Sequence, residues 1–188
     1  TSSATNDSDQ WPGRRYQTQA SAMPSPQRDR GIRAEREACA LLTELTGHTV
    51  RRRANEGIRD DIGDLIGLPD TTIQVSAVPR NPKAIAARTR LKLAGLAAQQ
   101  RNAGTRHGVV ILRIDGNNQT PPAWRAVITE THLRHLGLTS WGMPYPNTTI
   151  GNAILNANTW TQLPAGWGRI CAPLETWCNA WANTPRYA

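Results

Sequence analysis

Apolar residues first recur at helical spacing in the stretch "GIRAEREACALLTELTG", where Ile32, Cys39, Leu42 and Leu45 fall on one stripe. Steps of seven and three predict a helix from Gly31, with Gly47 placed to end it. Residues 1–27 are rich in Ser, Thr, Gln, Asp and Pro and show little apolar period. That composition predicts a disordered or loosely attached arm. Arg14, Arg15 and Tyr16 in it could touch nucleic acid, though a solvated tail is the simpler reading.

Further on the period shortens. "HTVRRR" fits a short strand, "ANEGIRDDIG" a polar loop, and "GDLIGLPDTTIQVSA" a hairpin turned by Leu68-Pro69-Asp70. Alternation puts Ile73, Val75 and Ala77 on one face of the second strand and Gln74 and Ser76 on the other. From about Lys83 to Asn102 an Ala-rich stretch with Ile85, Leu91, Leu93 and Leu96 reads as a long helix, followed by Gly104. "GVVILRI" at 108–114 is the continuous apolar run of a strand covered on both faces. "WRAVIT" is a further strand and "ETHLRHL" a short helix. The order α, β, β, β, α, β, β, α predicts an α/β fold, with a central mixed sheet between helices.

After Leu138 the pattern loses its period, and residues 139–188 hold five of the seven tryptophans among Gly, Pro and Asn. This predicts an irregular C-terminal extension that lays indoles over an α/β domain spanning 28–138 or across a second subunit. Base stacking or a partner protein are alternative uses for those indoles. Cys39, Cys171 and Cys178 match no zinc spacing or dense disulfide framework, and a Cys171–Cys178 bridge is open but unforced.

Charge narrows the partners. A net charge of +8 favours a polyanion, and Lys83 and Lys92 are the only lysines among 22 basic residues. The guanidinium fork suits phosphates and guanine edges, although a GC-rich coding bias would give the same ratio. No stretch approaches the roughly twenty apolar residues of a membrane span, and no apolar signal core opens the chain, so a soluble cytoplasmic protein is expected.

Candidate chemistry begins at Glu35, which shares a helix face with Ile32, Cys39 and Leu42. A carboxylate beside an apolar stripe needs a counter-charge or a metal, and Arg52 or Arg59 could supply the former. Asp64 and Gln74 widen the choice. The hairpin brings both to one sheet edge, where two carboxylates and an amide oxygen could hold Mg2+ or Mn2+ with several of its waters.

Gly31-Ile32-Arg33-Ala34-Glu35 resembles the Gly-x-x-x-Glu start of the first helix in PD-(D/E)xK nucleases, particularly archaeal-type Holliday junction resolvases and their phage relatives. Gly63-Asp64-Leu65 and Ile73-Gln74-Val75-Ser76 resemble the superfamily's aspartate strand and its (D/E/Q)-x-K strand. The resemblance covers about residues 30–136 and rests as much on order and spacing as on any single motif. It implies a restriction-endonuclease-like core, with Glu35, Asp64 and Gln74 as metal ligands. It also implies Mg2+-dependent cleavage of branched DNA by a homodimer. Ser76 stands where the motif lysine belongs, and a hydroxyl cannot stabilise the charge that builds on phosphorus. Lys83 or Lys92 from the following helix could replace it, as happens in some superfamily members. Arg80 is a nearby cation but a poor base.

Arg51, Arg52 and Arg53 could grip phosphates beside the cut, or simply be a solvated run. His132 and His135, three apart on the short helix, could touch a metal, but a surface pair is the plainer reading. No Walker-type loop, helix-turn-helix or zinc-finger signature is present. Two alternatives stay open. One is an inactive nuclease fold kept for binding DNA or protein; the other is a restriction-type nuclease acting on linear duplex.

Overall fold

The computed structural model describes residues 25–53, 61–117, 119–164 and 168–184, so most of the 1–27 arm lies outside the described residues. The first helix, α1 (Pro26–Thr46), starts five residues before Gly31. Proline at the first helical turn loses no hydrogen bond and Asp29 faces the positive helix end, so the polar PQRDR segment joins the helix. Gly47 closes it at φ 70, with its N–H on the Thr43 carbonyl. Ala34, Ala38 and Leu42 form its buried line, and the two small side chains let the helix lie close to the sheet.

Among the described residues seven strands form one sheet in the order β1-β2-β3-β4-β5-β7-β6. They are β1 (Arg51–Arg52), β2 (Leu65–Ile66), β3 (Thr71–Val78), β4 (His107–Ile114), β5 (Ala123–Thr129), β6 (Thr161–Gln162) and β7 (Arg169–Pro173). Of these strands only β3 and β4 pair in parallel, and the connection between them is the long helix α2 (Pro82–Ala103). Asn81 caps α2, accepting from the Lys83 and Ala84 N–H groups. The expected mixed sheet between helices is therefore present.

Ile73, Val75, Val109 and Ile111 pack with α1 on one face, together with α5 (Leu174–Ala182) and Leu133 of α3 (Glu130–His135). Val78, Val110, Leu112 and Val127 pack on the other, under α2 and α4 (Ile150–Asn156). A residue shift of one along β3 or β4 thus moves a side chain from one core to the other.

The segment after Leu138 departs from its expected irregularity. It supplies α4, β6, β7 and α5, and β7 pairs with β5 in the central sheet. Gly, Pro and Asn punctuate the segment so that no period shows in the sequence, yet tertiary pairing stabilises its elements. Trp177 is fully buried against the α1 core, and the Trp181 indole N–H donates to Thr71 Oγ1 at 3.2 Å. Trp141, by contrast, is 93% exposed. Cys171 and Cys178 are free and belong to the two different cores, so the open bridge is not formed.

Candidate active site

The site forms where β2 and β3 part. Leu65 pairs with Ile73, and the Asp64 N–H donates to the Ile73 carbonyl at 2.8 Å. Gly63 makes this approach: it sits at φ 107, and a Cβ there would lie 2.9 Å from the Ile73 oxygen. Past this point the strands diverge, and the Asp64 carboxylate itself occupies the next rung, its Oδ2 accepting from the Val75 N–H at 2.7 Å.

Gln74 points from β3 toward α2 and is 3% exposed. Lys92, on the sheet-facing flank of α2, reaches both groups: its Nζ lies 3.0 Å from Asp64 Oδ2 and 2.6 Å from Gln74 Oε1. An ammonium only donates, so this contact fixes the amide with its oxygen toward Lys92. The Gln74 Nε2 is left buried with no hydrogen-bond partner among the described residues. Asp64 and Lys92 are each about three-quarters buried, with side-chain exposures of 22% and 23%, and each offsets the other's charge.

Of the two lysines expected to compensate for Ser76, only Lys92 comes to this position. Lys83 lies nine residues earlier on α2, which at about 100° per residue places it on the opposite side of the helix. It lines a groove of about 810 Å³ with Asn81, Arg90 and Asn152, between α2 and α4. Arg80 is exposed in the turn between β3 and α2. Ser76, 7% exposed, stays on the Gln74 face as alternation predicts.

Glu35 corrects the expected three-ligand set. Its Oε2 accepts from Arg52 Nε at 2.7 Å, so the counter-charge is an arginine. Arg52 is opposite Leu65, which packs in the α1 core, whereas Gln74 and Lys92 meet on the α2 side. Glu35 therefore approaches from the other face. The arginine run divides accordingly: Arg52 serves Glu35, Arg51 is exposed, and Arg53 donates its backbone N–H to the Asp64 carbonyl at 3.0 Å.

Three residues beside the site, Asp61, Gln99 and Asn102, have no signature in the sequence. Asp61 Oδ2 accepts from Gln99 Nε2 at 2.6 Å, and Asn102 Nδ2 donates to the Asp61 carbonyl at 3.1 Å. These bonds strap the entry to β2 onto the same flank of α2 that carries Lys92. The only available signal was the matched spacing of Lys92 with Gln99, seven apart, and Asp64 with Asp61, three apart. Arg88, one turn before Lys92, is exposed on that flank.

A hard cation would find two oxygens here, the Asp64 carboxylate and the Gln74 amide. Among the described residues no group of three or more His, Cys, Asp or Glu is arranged to hold a metal. The donor set nonetheless fits Mg2+, which commonly takes one or two carboxylates and draws its other ligands from water and substrate phosphate. His132 and His135 do not form the expected surface pair: His132 is 2% exposed, and burial holds its imidazole down to about 4 against a weaker upward pull from the Gly108 carbonyl.

No helix among the described residues is long and apolar enough to cross a membrane. No family model, curated protein or solved structure matches the chain.

Proposed function

We propose that this protein is a Mg2+-dependent endonuclease of the PD-(D/E)xK kind, acting on branched DNA, with Asp64, Gln74 and Lys92 as its reactive constellation. The observation that carries the reading is the placement of Lys92. An ammonium from α2 comes to the acid and amide oxygens beside which the motif lysine would stand, so Ser76 need not mean loss of the cation. In this reading Asp64 and Gln74 offer the metal-facing oxygens. The metal would act as a Lewis acid on the scissile phosphate and lower the pKa of a bound water. Lys92 turns from Asp64 toward the phosphate, where its charge offsets that growing on phosphorus. Arg51 and Arg88 lie exposed at the β1 edge and on the Lys92 flank of α2, available to flanking phosphates. Symmetric cleavage of a four-way junction would take two copies of the chain.

The expected result is that Asp64→Ala abolishes Mg2+-dependent cleavage of a labelled four-way junction; cleavage at the parent's rate would discard the assignment. Linear duplex of equal length, run in parallel, tests the preference for branches.

A second reading, an inactive nuclease fold that binds DNA, is favoured by one observation: Lys92 already occupies both oxygens while Arg52 withholds Glu35. Calorimetric titration with Mg2+ separates the two, because heat dependent on Asp64 belongs to the enzyme. DNA binding indifferent to divalent ions belongs to the module.

A further inference from the structure

Away from the Asp64 site, three imidazoles crowd together at the start of β4. The His107 ring stacks on His132, with centroids 4.9 Å apart and planes at 23°. His135, one turn after His132, meets His107 edge-on at the same centroid distance of 4.9 Å. Among the described residues each ring has a buried nitrogen without a hydrogen-bond partner: His107 Nδ1, His132 Nε2 and His135 Nδ1. Buried polar atoms are rarely left unmet, and three in one cluster require an explanation.

The surroundings fix which of these nitrogens are bare. His132 Nδ1 lies 3.1 Å from the Gly108 carbonyl, which can only accept, so the proton is on Nδ1 and Nε2 keeps a lone pair. Asp70 Oδ2 stands 3.7 Å from His107 Nε2 and favours the proton there, leaving Nδ1 bare. Asp70 is itself anchored, accepting from the Arg106 N–H at 2.7 Å and from the Arg106 guanidinium. A carboxylate on one histidine and a backbone carbonyl on another are the outer partners that metal-binding histidines use to set tautomer and ring direction.

We propose that His107, His132 and His135 form a binding site for one divalent transition-metal ion of the zinc class. With metal–nitrogen bonds of about 2.1 Å, two imidazoles on one tetrahedral ion hold their ring centres roughly 5 Å apart, close to the observed spacing. The lone pairs do not yet converge, since no such group among the described residues stands in metal-holding array. Loading therefore turns the rings, and at His107 Nδ1 and His135 Nδ1 that turn breaks no hydrogen bond. Imidazole donors suit zinc, nickel or copper and not the hard Mg2+ proposed at Asp64. Three imidazoles leave the fourth tetrahedral position to a water on the side of half-buried His135, and beneath Trp177, whose ring lies edge-on to His132 at 6.2 Å, the bound ion would fasten α3 to the sheet.

The test adds Co2+, then Zn2+, to the chelator-treated full chain. The wild type should take up one equivalent of cobalt, with the visible bands of a four-coordinate nitrogen-ligated ion, and zinc should displace it. Affinity should fall at least tenfold in His107→Gln and in His135→Gln and stay unchanged in Asp64→Ala. Absence of uptake by folded wild type, or equal uptake by both histidine variants, overturns the proposal. Ring-nitrogen NMR of the wild type decides the matter if the variants fail to fold. Zinc should shift His107, His132 and His135 together, whereas shifts confined to His48 overturn the proposal.

Discussion

Lys92 and Asp64 stand 28 residues apart in the chain, on a helix and at a strand mouth, yet the ammonium and the carboxylate meet at 3.0 Å. The same ammonium holds the Gln74 amide oxygen. Ser76, which shares the Gln74 face, plays no part in this contact, so the positive charge at this hairpin comes from the helix above it.

If Lys92 supplies the cation for phosphodiester cleavage, Lys92→Ala should lower the rate by roughly a hundredfold or more, the scale at which a group stabilising developing charge acts. Lys83→Ala, on the other side of α2, should leave the rate within a fewfold of the parent. Single-turnover cleavage of a labelled junction measures both, and equal losses would disconnect Lys92 from the chemistry.

Glu35 is paired with Arg52 and not with the Asp64 cluster. Glu35→Gln should therefore reduce stability by about 1 kcal/mol, since the pair is only partly buried. Cleavage should change little. Urea denaturation of Glu35→Gln, Arg52→Gln and the double variant should show that their effects are not additive. A large loss of cleavage with stability intact would restore Glu35 to the site.

Trp177 is fully buried between α5 and the sheet. Trp177→Ala should cost about 3–5 kcal/mol, the range for deleting a buried aromatic ring. A chain ended at Leu138 loses β7 and α5 together and exposes the β5 edge, so it should aggregate or fail to fold. A soluble, cooperatively folding 1–138 fragment would show that the last fifty residues are dispensable.

Glu37 links α1 to β4 by accepting from Arg33 at 2.8 Å and Arg113 at 2.5 Å. Burial pushes its carboxyl up, but the Arg33 and Arg113 hydrogen bonds and charges outweigh that and hold it below the usual range. The unfolded chain therefore takes up the proton first as the pH falls. The stabilisation is full above the unfolded carboxylate value and is lost as the pH drops through the lower folded one. Acid unfolding of Glu37→Gln should show a shallower loss of stability across that window; an unchanged acid limb would assign the loss to other carboxylates.

Local pattern carried the first eight elements in order, because each is long enough, or sharply enough bounded by Gly and Pro, to declare its own period. Gly47 and Gly104 both sit at positive φ where the helices end, and Asn81 caps α2. The last 50 residues gave no such signal. β7 and α4 are no shorter than elements read earlier in the chain, but Gly, Pro and Asn punctuate the whole segment so that no boundary stands out, and each element is stabilised by a partner distant in sequence.

What the sequence by itself determined was the order of the elements, the alternation that puts Gln74 on the face opposite Ile73, and a short list of residues that included Lys92. Tertiary structure alone decided which of them meet. Helical spacing gives Glu35 a face but not a partner, and Arg52 won it across the β1 edge. The rotation of α2 over β3 chose Lys92 over Lys83, and the parting of β2 from β3 left the Val75 N–H for Asp64. Such contacts join groups far apart in sequence, and their geometry is set by how whole elements pack, a quantity no local window contains.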